Sequence, residues 1–286
     1  MSWNAERFRM ADRLVAVLAW SSAVTVTAIF LWLLGYLLWQ GAGRLSWAFL
    51  TAAPKSAGRA GGIGPILVST VLILGVCLAV SLPIGVGTAV WLAEFTSREH
   101  RFGRAVRRSL DVLAGVPSII FGLFGNAFFC KLLGLGFSIV SGGLTLACMV
   151  LPILIRATEE GFRSVPAHYR MSAAALGCSR TSTLFGLLLP AAVPGLLVGL
   201  VLGIGRALAE TAALIFTSGY VDRLPTSLMD SGRALSIHIF DLSMNVSGAD
   251  KNASAAALVL VGLLLVINSV AAWLAKHWLH RRRLLI

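Results

Sequence analysis

The chain has 286 residues, of which 57% are hydrophobic and 13% are charged, and its formal net charge is +12. Soluble domains carry about 25% charged residues, so this composition excludes an ordinary soluble protein as well as a disordered chain. Four cysteines in a chain of this length exclude a disulfide scaffold. The excess of 24 Lys and Arg over 12 Asp and Glu is typical of nucleic-acid binding or of a membrane protein with positive charge on one side.

Six apolar segments are long enough to cross the hydrocarbon layer of a membrane, which takes ~20 helical residues. They are Leu14–Trp39, Pro65–Leu92, Leu110–Phe129, Phe137–Ile155, Leu184–Phe216 and Ala255–Leu274. We predict helices because an open strand cannot satisfy its backbone groups in lipid. The sequence therefore predicts an all-α polytopic membrane protein with six transmembrane helices.

Two of these segments are expected to depart from a straight helix. Gly115-Val-Pro-Ser118 is expected to bend the third segment near its start. The fifth segment is too long for one perpendicular crossing and contains Pro190 and Pro194. We therefore expect it to be tilted, to be kinked, or to begin as a helix outside the bilayer.

The basic residues predict the orientation of the helices. With six spans, both termini and the second and fourth loops share one side, which carries sixteen basic residues against seven on the other. The sixteen are Arg7, Arg9, Arg13, Arg98, Arg101, Arg104, Arg107, Arg108, Arg156, Arg163, Arg170, Arg180, Lys276, Arg281, Arg282 and Arg283. The seven are Arg44, Lys55, Arg59, Lys131, Arg223, Arg233 and Lys251. The positive-inside rule places both termini in the cytoplasm, and topology explains the basic excess without a nucleic-acid partner.

The sequence shows no chemistry that the chain would perform alone. None of its lysines lies in a Gly-Lys-Ser/Thr phosphate-binding loop, so an ATP-driven process would need the nucleotide to bind another polypeptide. Cys77, Cys130, Cys148 and Cys178 show no Cys-x-x-Cys spacing and are interpreted as packing residues. We predict no catalytic residues and no metal site.

The loop at residues 156–183 is too long and too patterned for a simple connector. An Ala-rich stretch after Tyr169 ends at Gly177, the usual residue for a left-handed helix cap. Hydroxyl residues between Ser179 and Ser182 suit the start of a second helix. The pattern predicts a compact helix–turn–helix against the membrane, with a small-residue face that another protein could contact; a loop helix without such a role is the alternative.

This loop resembles the EAA loop of binding-protein-dependent ABC importer permeases, E-A-A-x-x-x-G-x(9)-I-x-L-P. Ser172 and Ala173 match the paired small residues, Gly177 matches the glycine, and Leu189-Pro190 match the Leu-Pro. The family's leading Glu falls on Met171, and the neighbouring Arg170, or Glu159 and Glu160, could contribute a charged contact instead. The resemblance implies that the loop docks on an ATPase and transmits ATP-driven closure.

Two charges, Arg206 and Glu210, lie within the apolar fifth segment. Each costs at least ~2.5 kcal/mol at that depth, so they should face a cavity or one another. On a continuous helix of ~100° per residue they share one face with the stripe of Gly195, Gly199 and Gly203, which predicts a helix–helix seam. The pair could lock two helices together, or Arg206 could offer a two-pronged donor to an oxyanion with Glu210 balancing its charge.

Four segments together resemble the PstA family of phosphate importer permeases. They are Gly61–Phe95, Gly115–Phe124, Ala174–Gly177 and Gly205–Thr217, and the resemblance covers about residues 60–275. It implies the type I (MetI-like) fold and places Arg206, Glu210 and Thr211 on the substrate pathway. It also implies a heterodimer with a PstC-like permease, a PstB-like ATPase dimer that binds ATP-Mg, and a PstS-like periplasmic phosphate-binding protein.

The expected organisation follows from these interpretations. Residues 1–40 are assigned to the N-terminus and first helix, 41–63 to an external loop, 64–275 to the importer domain and 276–286 to a basic tail. The external loop at 217–254 could meet the binding protein or form an interfacial helix. Other oxyanions (molybdate, tungstate or sulfate) remain possible substrates, and an intramembrane enzyme or a membrane scaffold remain the other classes.

Overall fold

The computed structural model describes residues 2–97 and 99–283, and the side chains of residues 12–97 and 99–275. The described chain is almost entirely helical. Its main helices are α1 (Ser2–Gly41), α2 (Trp47–Thr51), α3 (Gly64–Glu94), α4 (Arg101–Ala114), α5 (Ser118–Gly125), α6 (Ile139–Arg163), α7 (Ala167–Ala175), α8 (Arg180–Thr183), α9 (Leu189–Leu208), α10 (Ala212–Ile215), α11 (Leu235–Met244) and α12 (Asp250–Arg283). Two π-helical turns, Asn126–Leu132 and Leu184–Leu188, extend α5 and precede α9.

Five helical segments are long and apolar enough to span a membrane, and a bent pair raises the number to six. The five are Asp12–Arg44, Gly64–Glu94, Ile139–Arg163, Arg180–Leu208 and Asp250–Ala275. The first, second, fourth and sixth predicted spans are confirmed as helices. The fourth continues to Arg163, eight residues beyond its predicted end, because its amphipathic last turns pack against protein rather than lipid.

The third predicted span consists of two helices joined at a sharp bend. α4 and the segment Ser118–Leu132 meet at an angle of 102°, across Gly115, Val116 and Pro117. Pro117 sits at the extended position before α5, where its ring disfavours a helical conformation for Val116. The expected bend is therefore present, but it separates two helices of different directions.

The fifth predicted span is wrong at its second end. The helix begins outside the predicted segment, at α8, and stops at Leu208 rather than Phe216. Residues Ala209–Thr211 are not helical, and α10 follows as a separate turn. The apolar run continues through this break, so hydropathy alone could not show it.

The core lies between α3, α6 and α9. Its fully buried side chains include Ile73 of α3, Leu146 and Leu154 of α6, and Leu214 and Ile237 from α10 and α11. α6 is the central helix, because it packs against both α3 and α9. In contrast, α1 is largely exposed and contacts α12 near Gly41, where an added Cβ would lie 2.6 Å from the Ala255 nitrogen.

The end of the bundle that carries the predicted external loops has a small cap. Two antiparallel strands of two residues each form a hairpin in which Pro54 pairs with Gly61. The Asn252 side chain donates to the Gly58 carbonyl at 2.8 Å. In the loop at 217–254, α11 packs on α12 and buries half of its residues, whereas Leu224 and Leu228 are exposed. The segment is therefore a packed helix preceded by an exposed stretch, and its contact with a binding protein stays a prediction.

Some residues used to predict the orientation lie outside the described side chains. They are Arg7, Arg9, Arg98, Lys276, Arg281, Arg282 and Arg283. The cytoplasmic position of both termini stays a prediction.

Candidate functional site

The segment predicted to contact an ATPase folds as a helix–turn–helix. α7 ends at Ala175, and Gly177 follows with a positive φ of 69°. The Cys178 amide donates to the Ala173 carbonyl and the Gly177 amide to the Ala174 carbonyl, both at 3.0 Å. This is the Schellman pattern that glycine favours, because no Cβ opposes the left-handed conformation.

The second helix of the segment begins where the hydroxyl residues predicted it. The Ser179 hydroxyl accepts from the Ser182 amide at 3.2 Å and caps α8. The chain then passes through the π-helical turn to Leu189 and Pro190 at the start of α9. Ser179 therefore sets the start of α8. Residues 167–183, which are predicted to contact the ATPase, are called the coupling segment below.

The outer face of α7 is open. Met171 is 65% exposed and Leu176 is 82% exposed, and Ser172 is also exposed while Ala173 is buried. A cavity of about 310 Å³ lies beneath, between the end of α3 and α8. Since Met171 replaces the family's Glu, this face offers an apolar contact at that position instead of a carboxylate.

Arg170 holds the coupling segment to the bundle instead of facing outward. Its Nε donates to Glu94 Oε2 at 2.9 Å and its Nη2 to Glu94 Oε1 at 2.5 Å. The same guanidinium donates to the carbonyls of Phe162 and Val165 at 3.0 and 2.9 Å. The hydrogen bond to Glu94 raises the pKa of Arg170. A single side chain thus joins α7 to the ends of α3 and α6.

A second ion network lies beside this junction. Glu159 is 4% exposed, and its Oε1 accepts from Arg107 at 2.8 Å and from Arg163 at 2.9 Å. Arg107 and Arg163 both also donate to the Leu92 carbonyl. Glu159 is therefore committed within the chain and cannot replace the family's carboxylate, whereas Glu160 is exposed.

The structure separates the two charges of the fifth segment. Arg206 lies in the last turn of α9 and is exposed, whereas Glu210 is 8% exposed and lies beyond the end of that helix. Within the described residues no ion pair joins them. The projection was wrong for Glu210, because it assumed that the helix continues past Leu208.

Arg206 and Glu210 each lie at a helix end instead. The carbonyl end of α9 carries partial negative charge that stabilises the Arg206 guanidinium. Glu210 Oε1 accepts from the Ala213 amide at 3.1 Å, in the first turn of α10, and the Ser236 hydroxyl donates to the Glu210 carbonyl at 2.6 Å. Thr211 lies in the break at the start of α10, half-buried.

The glycine stripe of α9 lies against α6. An added Cβ would lie 2.4 Å from the Gly161 Cα at Gly195, 2.9 Å from the Ala157 Cβ at Gly199, and 2.7 Å from Val150 at Gly203. The three glycines therefore bring α9 into close contact with α6. Arg206 lies to one side of this face, because α9 buries Ala207 and Leu208 instead.

Glu94 was missed by the sequence analysis as a functional residue. Glu94 lies in the segment Leu92-Ala-Glu-Phe95, which contributed to the sequence analysis only through the family resemblance. A carboxylate at the end of an apolar helix, and an arginine in a later loop predicted to lie on the same side of the membrane, were the available signal for this pair. Among the described residues, no group of three or more His, Cys, Asp or Glu is placed to hold a metal ion.

Known proteins agree with this architecture. The family model for the binding-protein-dependent transport system inner membrane component matches residues 81–284. The probable ABC transporter permease protein YqgI of Bacillus subtilis strain 168 is 31% identical over 281 residues, covering 93% of this chain and 95% of that protein. Phosphate transport system permease protein PstA 2 of Mycobacterium bovis is 32% identical over 282 residues, covering 95% and 90%.

Solved structures agree on the fold. An inward-facing form of the MetNI methionine ABC transporter matches with a TM-score of 0.58 at 17% identity, covering 76% of this chain and 94% of that chain. A transporter involved in the import of the acidic polysaccharide alginate matches with a TM-score of 0.57 at 18% identity, covering 78% and 80%.

The spanning helices and the helix–turn–helix define an ABC importer permease of the type I (MetI-like) fold. The chain belongs to the family of binding-protein-dependent transport system inner membrane components. It is therefore a multi-pass membrane protein and a transport subunit rather than an enzyme. Members of this family work with an ATPase and a substrate-binding protein.

Proposed function

We propose that the chain is the permease subunit of an inorganic phosphate importer and forms half of its translocation pathway. The name of the Mycobacterium bovis relative supports phosphate. In this proposal the chain pairs with a PstC-like permease in the bacterial cytoplasmic membrane, with both termini in the cytoplasm. A PstB-like ATPase dimer binds ATP-Mg, and a PstS-like periplasmic protein delivers phosphate.

The observation that carries the proposal is the exposed Arg206. It lies on a helix that is otherwise apolar, beside the face that packs on α6 and next to the α9–α10 break. A charge in that position is costly in lipid, so its open side is expected to face the second permease and the pathway between them. Its planar donors fit two oxygens of a phosphate at once.

Glu210 supports the same function in a different way from that predicted. Its Oε1 orders the first turn of α10, and its negative charge lies beyond the end of α9. A carboxylate near the pathway weakens anion binding and favours release. The helix break also leaves non-helical backbone at membrane depth, which is tolerated where it is buried in protein or lines a cavity.

We predict that Arg206→Gln lowers phosphate uptake by the reconstituted transporter roughly 10- to 100-fold. The reason is the loss of charge-assisted hydrogen bonds, each worth about 1.5–3 kcal/mol. Uptake of radiolabelled phosphate by proteoliposomes measures the effect, and co-purification with the second permease shows that assembly is unchanged. Uptake at the wild-type rate would refute the assignment of Arg206.

The substrate is tested in the same proteoliposomes. Excess molybdate, tungstate or sulfate should leave phosphate uptake unchanged, since the relatives' names indicate phosphate. Strong competition by one of these anions would assign the transporter to that oxyanion.

Arg206→Lys is the matched variant for Arg206→Gln, because it keeps the charge and removes only the two-pronged geometry.

A further inference from the structure

Helix α4 has two different exposed faces side by side. Its charged side chains occupy one arc and its apolar side chains another, at ~100° per residue. Gly103 and Leu110 are buried against the protein. The exposed apolar side chains are Phe102 (62%), Val112 (70%) and Leu113 (41%). Such a helix, basic on one face and apolar on the next, is typical of segments that lie in a membrane surface.

The position of α4 in the fold agrees with such a location. The bend of 102° prevents α4 from continuing the direction of the helix that follows it. It contacts α6 through Arg107–Glu159 and Asp111–Arg156, near the end of that helix at Arg163. The Phe102 ring meets the Trp91 ring edge-on, with centroids 5.6 Å apart. Tryptophan is enriched at membrane–water interfaces.

The arginines of α4 fall into two groups. Arg107 is committed to Glu159 and to the Leu92 carbonyl, and Arg104 donates to the Glu99 carbonyl at 2.7 Å. Arg101 and Arg108 are exposed and have no ion pair or side-chain hydrogen bond within the part of the chain that the structure describes. They are two turns apart, ~10 Å along the helix, on the same edge as Val112.

We propose that Arg101 and Arg108 bind the phosphate groups of anionic phospholipids in the cytoplasmic leaflet, while Phe102 and Val112 contact the acyl chains. Charge complementarity favours an anionic phospholipid as the ligand. Two uncommitted guanidinium groups border an apolar strip, so one lipid molecule can satisfy the cation and the strip together. The cytoplasmic assignment rests on the proposed orientation of the chain. Lipid bound there would hold α4 in the plane of the membrane, next to the α3 and α6 ends that carry the coupling segment.

Lipid binding by the detergent-purified full chain tests the proposal. Native mass spectrometry measures retention of dioleoyl phosphatidylglycerol against dioleoyl phosphatidylcholine. Arg101→Gln/Arg108→Gln is expected to weaken phosphatidylglycerol binding roughly 30-fold, from about fivefold for each arginine near a membrane surface. Phosphatidylcholine binding should not change.

A matched control carries the same change of charge elsewhere. Arg44 and Arg59 are exposed and lie outside α4, so Arg44→Gln/Arg59→Gln should bind phosphatidylglycerol as the wild type does. Arg101→Lys/Arg108→Lys should retain most of the binding, because it keeps both charges and so controls for misfolding. In the wild type, binding should fall as salt is raised.

Two results would overturn the proposal. One is equal phosphatidylglycerol binding by the wild type and the α4 glutamine variant, or a loss no greater than in the control. The other is unchanged lipid binding by the α4 glutamine variant together with failure of that variant to co-purify with the ATPase. This result would assign α4 to a protein partner. Neither result depends on phosphate uptake, so failure of the lipid proposal is distinguishable from failure of the transport proposal.

Discussion

The charges where the coupling segment meets the ends of α3 and α6 (the junction) are arranged differently from those at the α9–α10 break. At the junction, Arg170 is paired with Glu94, and Glu159 with three arginines. At the break, no ion pair of Arg206 or Glu210 is present among the described residues, and Arg206 remains exposed. A closed network holds helix ends in fixed positions, whereas an unpaired cation keeps its donors available. The comparison separates charges that maintain structure from the charge that we propose to meet substrate.

The largest expected effect tests the closed network. Glu159→Ala leaves Arg107 and Arg163 close together without their carboxylate, so we expect it to destabilise the folded chain by about 3–5 kcal/mol. Denaturant unfolding of the purified chain in detergent measures this. The adjacent Glu160 is exposed, so Glu160→Ala should cost less than about 0.5 kcal/mol. Equal effects of the two substitutions would refute the structural role of the network.

A smaller effect is expected at the link between α7 and α3. Arg170→Gln removes hydrogen bonds to Glu94, and the half-exposed position limits their value to about 1.5 kcal/mol. We expect ATP hydrolysis to continue while phosphate imported per ATP falls roughly tenfold. Parallel measurement of both rates in proteoliposomes provides the ratio.

The reversed pair is the control for this link. Glu94→Arg combined with Arg170→Glu keeps both charges and restores part of the coupling, if the link between the two helices is what matters. If Arg170→Gln left the ratio of import to hydrolysis unchanged, Arg170 would have no part in transmission.

The smallest expected effect is conformational. Gly177 has a φ of 69° and nothing within 4 Å of an added Cβ. Gly177→Ala therefore meets backbone strain without a clash, which costs about 1 kcal/mol and should loosen the coupling of hydrolysis to import. Asn tolerates this conformation better, so Gly177→Asn should retain more coupling. If Gly177→Ala coupled hydrolysis to import as well as the wild type does, the helix cap would have no role in coupling.

Local chemistry explains what could be predicted from the sequence. Ser179 as a helix start and Gly177 as a helix end are properties of a few adjacent residues, and both are present as expected. The α3 span is nearly complete as predicted, Gly64–Glu94 against Pro65–Leu92, since hydropathy over many residues gives a strong signal. The bend at Pro117 was expected for the same local reason, although its angle was not.

Pairings between distant residues could not be predicted in this way. Asp111 was close in sequence to Arg107 and Arg108, yet its partner is Arg156, because α4 crosses the end of α6. Arg170 looked available for an ATPase, yet Glu94 of a distant helix occupies it. The end of α9 at Leu208 was hidden, because the apolar run continues through the break.

The sequence by itself determined that this chain is a bundle of apolar helices with a patterned loop at residues 156–183, since those features depend on composition and on residues close along the chain. The tertiary structure alone decided which charges are paired. Burial and three-dimensional proximity determine whether a carboxylate meets an arginine, and neither follows from spacing along one helix. For that reason Arg206, the one basic residue within a predicted span, is exposed beside a helix break rather than paired with Glu210.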